Sequence, residues 1–387
     1  MGKRQSIGLI FSYDENWIGG SYYIINIIKT LSVLEESKKP FLQILSYTES
    51  DFVKIKELNY PYIEYIIINV NLPLWKRVFN KISQLLFKKH FFNRSYKHLD
   101  EVEILFPALI EEKFNSIKHK IFWIPDFQER YLSHFFKEEE IEPRLNWQTA
   151  ISKEKEIIFS SNSAMKDFNV FYPNSTINKY VFNFSSILPQ FDTVNIDAIL
   201  KKYNLTNDVF FFSPNQFWEH KNHIIILKAL KKLKEAGNLN FQVYFSGKEY
   251  DYRNPDYFER LNQFVIDNKL QDNIRFLGFI DREDQLCLMN YALAIIQPSL
   301  FEGWSTVVED AKALNQNIIV SNLEVHKEQL GDFAFFFDPS DELTLIEQIK
   351  IVIEKGERKF NFNYSESIQK SALNFISIIE SVSNQDN

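Results

Sequence analysis

Only one cysteine, Cys287, occurs among the 387 residues. It cannot close an internal disulfide, and no Cys/His cluster has zinc-site spacing. Its setting, "DQLCLMNYA", is apolar and suits a core thiol better than a reactive one. Basic charge is also short: 44 Lys and Arg stand against 51 Asp and Glu, a formal net charge of -7. That balance lacks the footprint that phosphate neutralisation needs and argues against nucleic acid as a partner. No apolar run approaches the ~18 residues of a membrane-spanning helix. The start, "MGKRQSIGLIFSYDEN", has neither the apolar stretch nor the small-residue cleavage site of a secretory signal. The expectation is a cytoplasmic protein.

What is present suits two buried cores: 45% of residues are hydrophobic and 16% aromatic. Short apolar runs alternate with helical patterns. "SIGLIFS" (6–12) predicts a first strand, and after Gly19 and Gly20 a helix places Ile24, Ile27, Ile28 and Leu31 on one face. "PFLQILSY", "YIEYIIINV", "VEILFPA", "HKIFWIP" and "EIIFSSN" predict further strands, nearly continuous in apolar residues, as strands covered on both faces are. The pattern restarts at "NDVFFFSPN" (207–215) and runs through "NFQVYFSG", "NIRFLGFI", "ALAIIQPS", "NIIVSN" and "FAFFFDP", with helices between. The fold expected is α/β, with two Rossmann-like doubly wound domains facing a central cleft. The first spans residues 1–190 and the second 191–363, with the link between Asn183 and Ala198. A terminal helix, about 364–387, joins the first domain.

In open parallel sheets, ligands sit beyond the carboxyl ends of the strands, so the residues that follow each strand are the candidates. Gly19 and Gly20 open a helix where backbone can approach a ligand and free N–H groups attract an anion; a plain glycine turn is the alternative. Asp126, Gln128, Glu129, Arg130 and His134 follow "HKIFWIP" and suggest a site, or else a capping aspartate and a surface ion pair. Lys221, in "SPNQFWEHKNH", stands at a helix start, where the dipole disfavours a cation unless an anion such as a diphosphate binds both; the alternative is a solvated lysine. Gly278 and Ile280, in "FLGFI", offer an apolar loop for a base, or simply core packing. In "PSLFEGWSTVVEDAKAL" (298–314), Glu302 stands on the loop, Gly303 permits tight backbone, and the amides of Trp304, Ser305 and Thr306 are helix-start donors. Glu309 and Asp310 follow inside the helix. Carboxylates accept hydrogen bonds from vicinal hydroxyls and helix N–H groups bind phosphate, which together describe a site for a sugar and a ribose joined by a diphosphate. The alternative is that Glu302 caps the helix and the later acids are solvated.

These stretches together resemble the retaining GT-B glycosyltransferases of family four, the glycosyl transferases group 1. The resemblance covers nearly the whole chain, through the Gly-Gly helix start, "WIPDFQERYLSHFF", "NQFWEHKNH", "FLGFI" and, most specifically, "PSLFEGWSTVVEDAKAL", which is similar to the family's Glu-x7-Glu motif. It implies that Glu302 contacts donor-sugar hydroxyls, that the second acid holds the ribose, and that the amides of Trp304 to Thr306 meet sugar and phosphate. It further implies that Lys221 neutralises the diphosphate, that Gly20 lets the donor phosphate approach, and that Ile280 touches the base. Register favours Asp310 as the second acid, while Glu309, one residue short, has the family's residue type. Gln216 stands where many members carry arginine, and Glu129 where many carry histidine.

The activity implied is that of a retaining, hexosyltransferase-like enzyme in surface polysaccharide biosynthesis. It takes a nucleotide-diphosphate sugar as donor and a glycan or lipid-linked glycan as acceptor, with Asp126, Glu302 and Lys221 as catalytic candidates and Gly19, Glu129 and Arg130 on the acceptor side. No Asp-x-Asp triplet occurs, so neither a metal nor another cofactor is expected. The segment 74–98, "LWKRVFNKISQLLFKKHFFNRSYKH", has no acidic residue and interleaves lysine and arginine with aromatics, which reads as peripheral contact with an anionic membrane or, alternatively, as a helix packed on its own domain. Two other functions stand beside the transferase: a non-catalytic binding or scaffold subunit of the same fold, and a sugar-nucleotide epimerase or phosphorylase.

Overall fold

The computed structural model describes residues 4–14, 18–68, 75, 78–79, 81–83, 99–189, 195–206, 209–356 and 361–384. Among them, β1 (Ser6–Ile10), β2 (Phe41–Ser46), β3 (Ile63–Ile67), β4 (Ile104–Phe106), β5 (His119–Ile124), β6 (Glu156–Phe159) and β7 (Asn178–Val181) form one sheet. Its order is β3-β2-β1-β4-β5-β6-β7, every pair parallel. A second parallel sheet contains β8 (Phe210–Pro214), β9 (Gln242–Ser246), β10 (Ile274–Phe276), β11 (Ala294–Gln297), β12 (Ile318–Ser321) and β13 (Phe335–Phe337), in the order β10-β9-β8-β11-β12-β13.

Both sheets are covered on both faces, and the sequence shows why. Successive side chains of a strand point to opposite faces. Ile7 and Leu9 of β1 enter one cluster with Ile24, Ile27, Ile28 and Leu31 of the helix Ile18–Ser32, while Ile10 enters the cluster on the far side. In β6, Ile158 goes one way and Ile157 and Phe159 the other. The strand that sequence patterning passed over is β7, an edge strand whose residues "NKYV" are exposed or half-buried and form no continuous apolar run.

The strand order reverses between β1 and β4 in the first sheet and between β8 and β11 in the second. A crevice opens at such a switch point because neighbouring connections leave on opposite faces. The chain leaving β1 enters the helix that holds Gly19 and Gly20, the chain leaving β8 carries Lys221, and the chain leaving β11 carries Glu302.

The helix Tyr364–Ser383 packs on the first sheet rather than the second. Its Ala372, Phe375, Ile379 and Val382 recur at helical spacing and lie in the cluster of Ile24 and Ile28. Phe375 meets Phe182 and Phe106 edge-on at centroid distances of 5.1 and 5.9 Å. Polar contacts also tie the domains together. Glu328 accepts the backbone N–H of Asn162 (2.9 Å) and Ser163 (3.2 Å), at the start of the helix Asn162–Phe171. Glu140 accepts the Tyr252 hydroxyl at 2.6 Å. The basic segment 74–98 lies largely outside the described residues; of those described there, Trp75, Val78, Phe79 and Ile82 are exposed. No helix among the described residues is long and apolar enough to cross a membrane.

Candidate active site

A cavity of about 460 Å³ lies between the two sheets' carboxyl edges. Gly19, Gly20, Tyr22, Tyr23 and Asp126 line it from the first domain, and Gln216, Lys221, Ile280, Glu302 and Asp310 from the second.

At its centre Lys221 Nζ stands 2.6 Å from Glu302 Oε1. The lysine ends a short 3-10 turn, Glu219–Lys221, after β8. Asn222 follows in the left-handed region (φ 57), and its side-chain amide donates to the carbonyls of Pro298 (3.1 Å) and Pro339 (2.9 Å). That clasp fixes the loop after β8 against the loop after β11. Glu302 also accepts from Gln297 Nε2 at 2.8 Å and Ser299 Oγ at 2.7 Å. Burial works to raise its pKa, but the Lys221 charge, aided by the hydrogen bonds, overrides this and brings it down to about 2. Glu302 is therefore a fixed anion and Lys221 its counter-ion, not a solvated lysine.

Asp126 faces this pair from the first domain. Burial, opposed by the Gln128 backbone N–H at 3.0 Å and reinforced by the charges of Glu129 and Glu302, pushes its pKa up to about 6. Gly303 lies directly against it. A Cβ at Gly303 would sit 2.5 Å from the Pro125 carbonyl oxygen and 2.9 Å from Asp126 Cβ, so only glycine lets the two walls meet here. His220 and His326 are buried beside the site, and burial lowers both pKa values, keeping the rings neutral.

The stretch 302–310 rules out the capping alternative for Glu302 and departs from expectation at Ser305 and Glu309. The cap of the helix Thr306–Ala313 is Ser305, whose hydroxyl accepts the Val308 N–H at 3.4 Å; Glu302 caps nothing. The Ser305 N–H is not free, since it donates to Gln329 Oε1 at 3.1 Å. Glu309 does not line the cavity. It turns away and accepts from the Tyr364 hydroxyl (2.8 Å), Lys312 (2.8 Å) and Gln329 (3.1 Å). One helical step rotates a side chain by about 100°, and it is Asp310 that lines the cavity, where it pairs with Arg282 at 2.7 Å.

Four more candidates fall outside the lining. Glu129 is buried and accepts from Gln148 Nε2 at 2.6 Å. Arg130 donates to the Tyr172 hydroxyl at 2.9 Å and lies over the Phe171 ring. Both brace the first domain; they do not meet the cleft, and neither does the exposed His134. Gly278 stands behind the wall, its carbonyl accepting the Gly247 N–H at 2.8 Å, while Phe279 and Ile280 reach the cavity. Among the lining residues that sequence reasoning passed over are Gly247 and Arg282. A Cβ at Gly247 would meet the Asn215 carbonyl oxygen at 2.1 Å, and this glycine follows β9 directly in "YFSG". Arg282 follows "FLGFI" in "DRED", also at a strand's carboxyl edge.

Two doubly wound parallel domains with their ligand edges turned to one cleft define the GT-B fold. Solved structures of that fold superpose along the whole chain: Anabaena Alr3699/HepE in complex with UDP and glucose (TM-score 0.66, 13% identity, 98% of this chain and 100% of that one). WaaG, described as a glycosyltransferase involved in lipopolysaccharide biosynthesis, does so at TM-score 0.58 and 12% identity over 98% and 96% of the two chains. Residues 195–370 match the family model of the glycosyl transferases group 1. Among curated proteins, the O-antigen chain mannosyltransferase RfbU of Salmonella typhimurium is 26% identical over 223 residues, 50% of this chain and 60% of RfbU. The match thus spans less than two thirds of that relative.

Proposed function

We propose that this chain is a retaining glycosyltransferase that moves a sugar from a nucleotide-diphosphate donor to a glycan or lipid-linked glycan in surface polysaccharide biosynthesis. The observation that carries the reading is the Lys221–Glu302 pair, 2.6 Å apart at the floor of the interdomain cleft. The group 1 domain, the likeness to an O-antigen chain mannosyltransferase and the fold shared with a UDP- and glucose-bound protein support it.

In this mechanism Glu302, held ionised, accepts hydrogen bonds from donor-sugar hydroxyls. Lys221 and the open helix-start amides face the diphosphate, where charge develops as the bond from the anomeric carbon to phosphate oxygen breaks. The acceptor oxygen bonds the same face of that carbon, and its proton passes to the departing phosphate. Asp126, on the facing wall, accepts a hydrogen bond from a sugar hydroxyl. Asp310 sits at the ribose end, Gly20 admits the phosphates, and Ile280 packs on the base. Protein cations replace a metal ion in neutralising the leaving group. Closure of the cleft limits loss of the sugar to water.

The test is release of nucleoside diphosphate from a panel that includes UDP-glucose and GDP-mannose, run with EDTA. One donor is expected to turn over, and Glu302→Ala to slow it at least a hundredfold. Lack of turnover and binding with every donor, with Glu302→Ala unchanged, defeats the reading. The lipid-linked acceptor places the enzyme at a membrane surface, and segment 74–98 is the proposed contact; flotation with anionic liposomes, lost when its lysines and arginines become glutamine, is the expected outcome.

A further inference from the structure

We infer that Arg282 is the second cation of the donor-phosphate site. The inference rests on the donor reading above and extends it to a residue outside the motifs that suggested it.

A nucleoside diphosphate leaves with two to three negative charges. The described lining of the cavity holds only two Lys or Arg side chains, Lys221 and Arg282. Each is paired with a carboxylate, and in each pair the cation is the more exposed partner: 20% for Lys221 against 9% for Glu302, and 27% for Arg282 against 1% for Asp310. A ligand in the cleft therefore meets the guanidinium of the second pair before it meets the carboxylate. A guanidinium carries five N–H donors and no acceptor. Nη2 is engaged by Asp310 at 2.7 Å and Nη1 by Gln285 at 3.2 Å, which leaves donors over. Such a group favours phosphate oxygens over hydroxyls, because bonds between charged partners are about twice as strong as neutral ones.

The position is independently unusual. Arg282 is the first residue of the helix Arg282–Tyr291, an end where the helix dipole repels a cation and attracts an anion. Asp310, almost fully buried in the neighbouring helix, holds the arginine there. Lys29, whose Nζ donates to the Ile187 carbonyl at 3.1 Å, lines an adjoining cavity of about 320 Å³ that Arg282 also lines. At position 216 the same cleft presents a neutral glutamine.

The experiment is calorimetric titration of the full chain with inorganic pyrophosphate, which carries neither base nor ribose, alongside UDP and GDP. Arg282→Gln is expected to weaken pyrophosphate binding at least tenfold, Arg282→Lys to keep most of it, and Gln216→Arg added to Arg282→Gln to restore it in part. If Arg282→Gln alone fails to fold because Asp310 is left unpaired, the neutral pair Arg282→Gln/Asp310→Asn carries the same expectation. Native-like pyrophosphate affinity in a folded variant lacking the arginine overturns the assignment. Failure of the native protein to bind pyrophosphate, UDP or GDP overturns the donor reading together with it.

Discussion

Asp126 and Glu302 are carboxylates on facing walls that titrate in opposite directions. Glu302 is held down at about 2, and Asp126 is pushed up to about 6. Between those values the first is charged and the second mostly neutral. A reaction that needs ionised Asp126 should accelerate from pH 5 to pH 7 with a midpoint near 6, and Asp126→Asn should be slow and flat across that range in a donor-turnover assay. Stability carries the other sign. A folded pKa above the unfolded one favours the native state at low pH, and the gain is lost as pH rises through about 6. Asp126→Asn should therefore melt higher than the native protein at pH 7.5 while losing activity. At this scale the sequence was half legible. A lysine and a glutamate at strand ends could be picked out, but their ion pair joins positions 81 residues apart and appears only once β8 and β11 lie side by side. Register favoured Asp310 over Glu309, but residue type favoured the reverse, and the rotation that separates the two side chains appears only in the folded helix.

Strands β1, β2, β5, β6, β8 and β11 were readable because a doubly covered sheet demands continuous apolar runs. Strand β7 was not, since an edge strand bears no such demand. Loops were readable only by position, at the carboxyl edges. Gly303 shows what position alone leaves out: its need to be glycine comes from Pro125 and Asp126 in the other domain. Gly303→Ala should separate the two walls by several tenths of an ångström or more. Turnover is expected to fall at least tenfold, with a loss of about 1–3 kcal/mol from overpacking in chemical denaturation.

The first domain is completed by a helix from the far end of the chain. Phe375→Ala should cost about 3–5 kcal/mol in urea unfolding. The loss should fall on the first domain, while the nucleotide binding proposed for the second domain, followed by titration, persists into higher denaturant.

That closing helix also sets an order of assembly during synthesis. Domains made in sequence ordinarily fold in sequence, at ~5–20 residues per second. Here the ribosome must make the entire second domain before residues 364–383 emerge. After the first domain's last strand is made, the apolar flank of its first helix, with Ile24 and Ile28, still awaits its cover for roughly 10–40 s at those rates. The domain made second can finish first, and the nascent first domain is the part that calls for a chaperone.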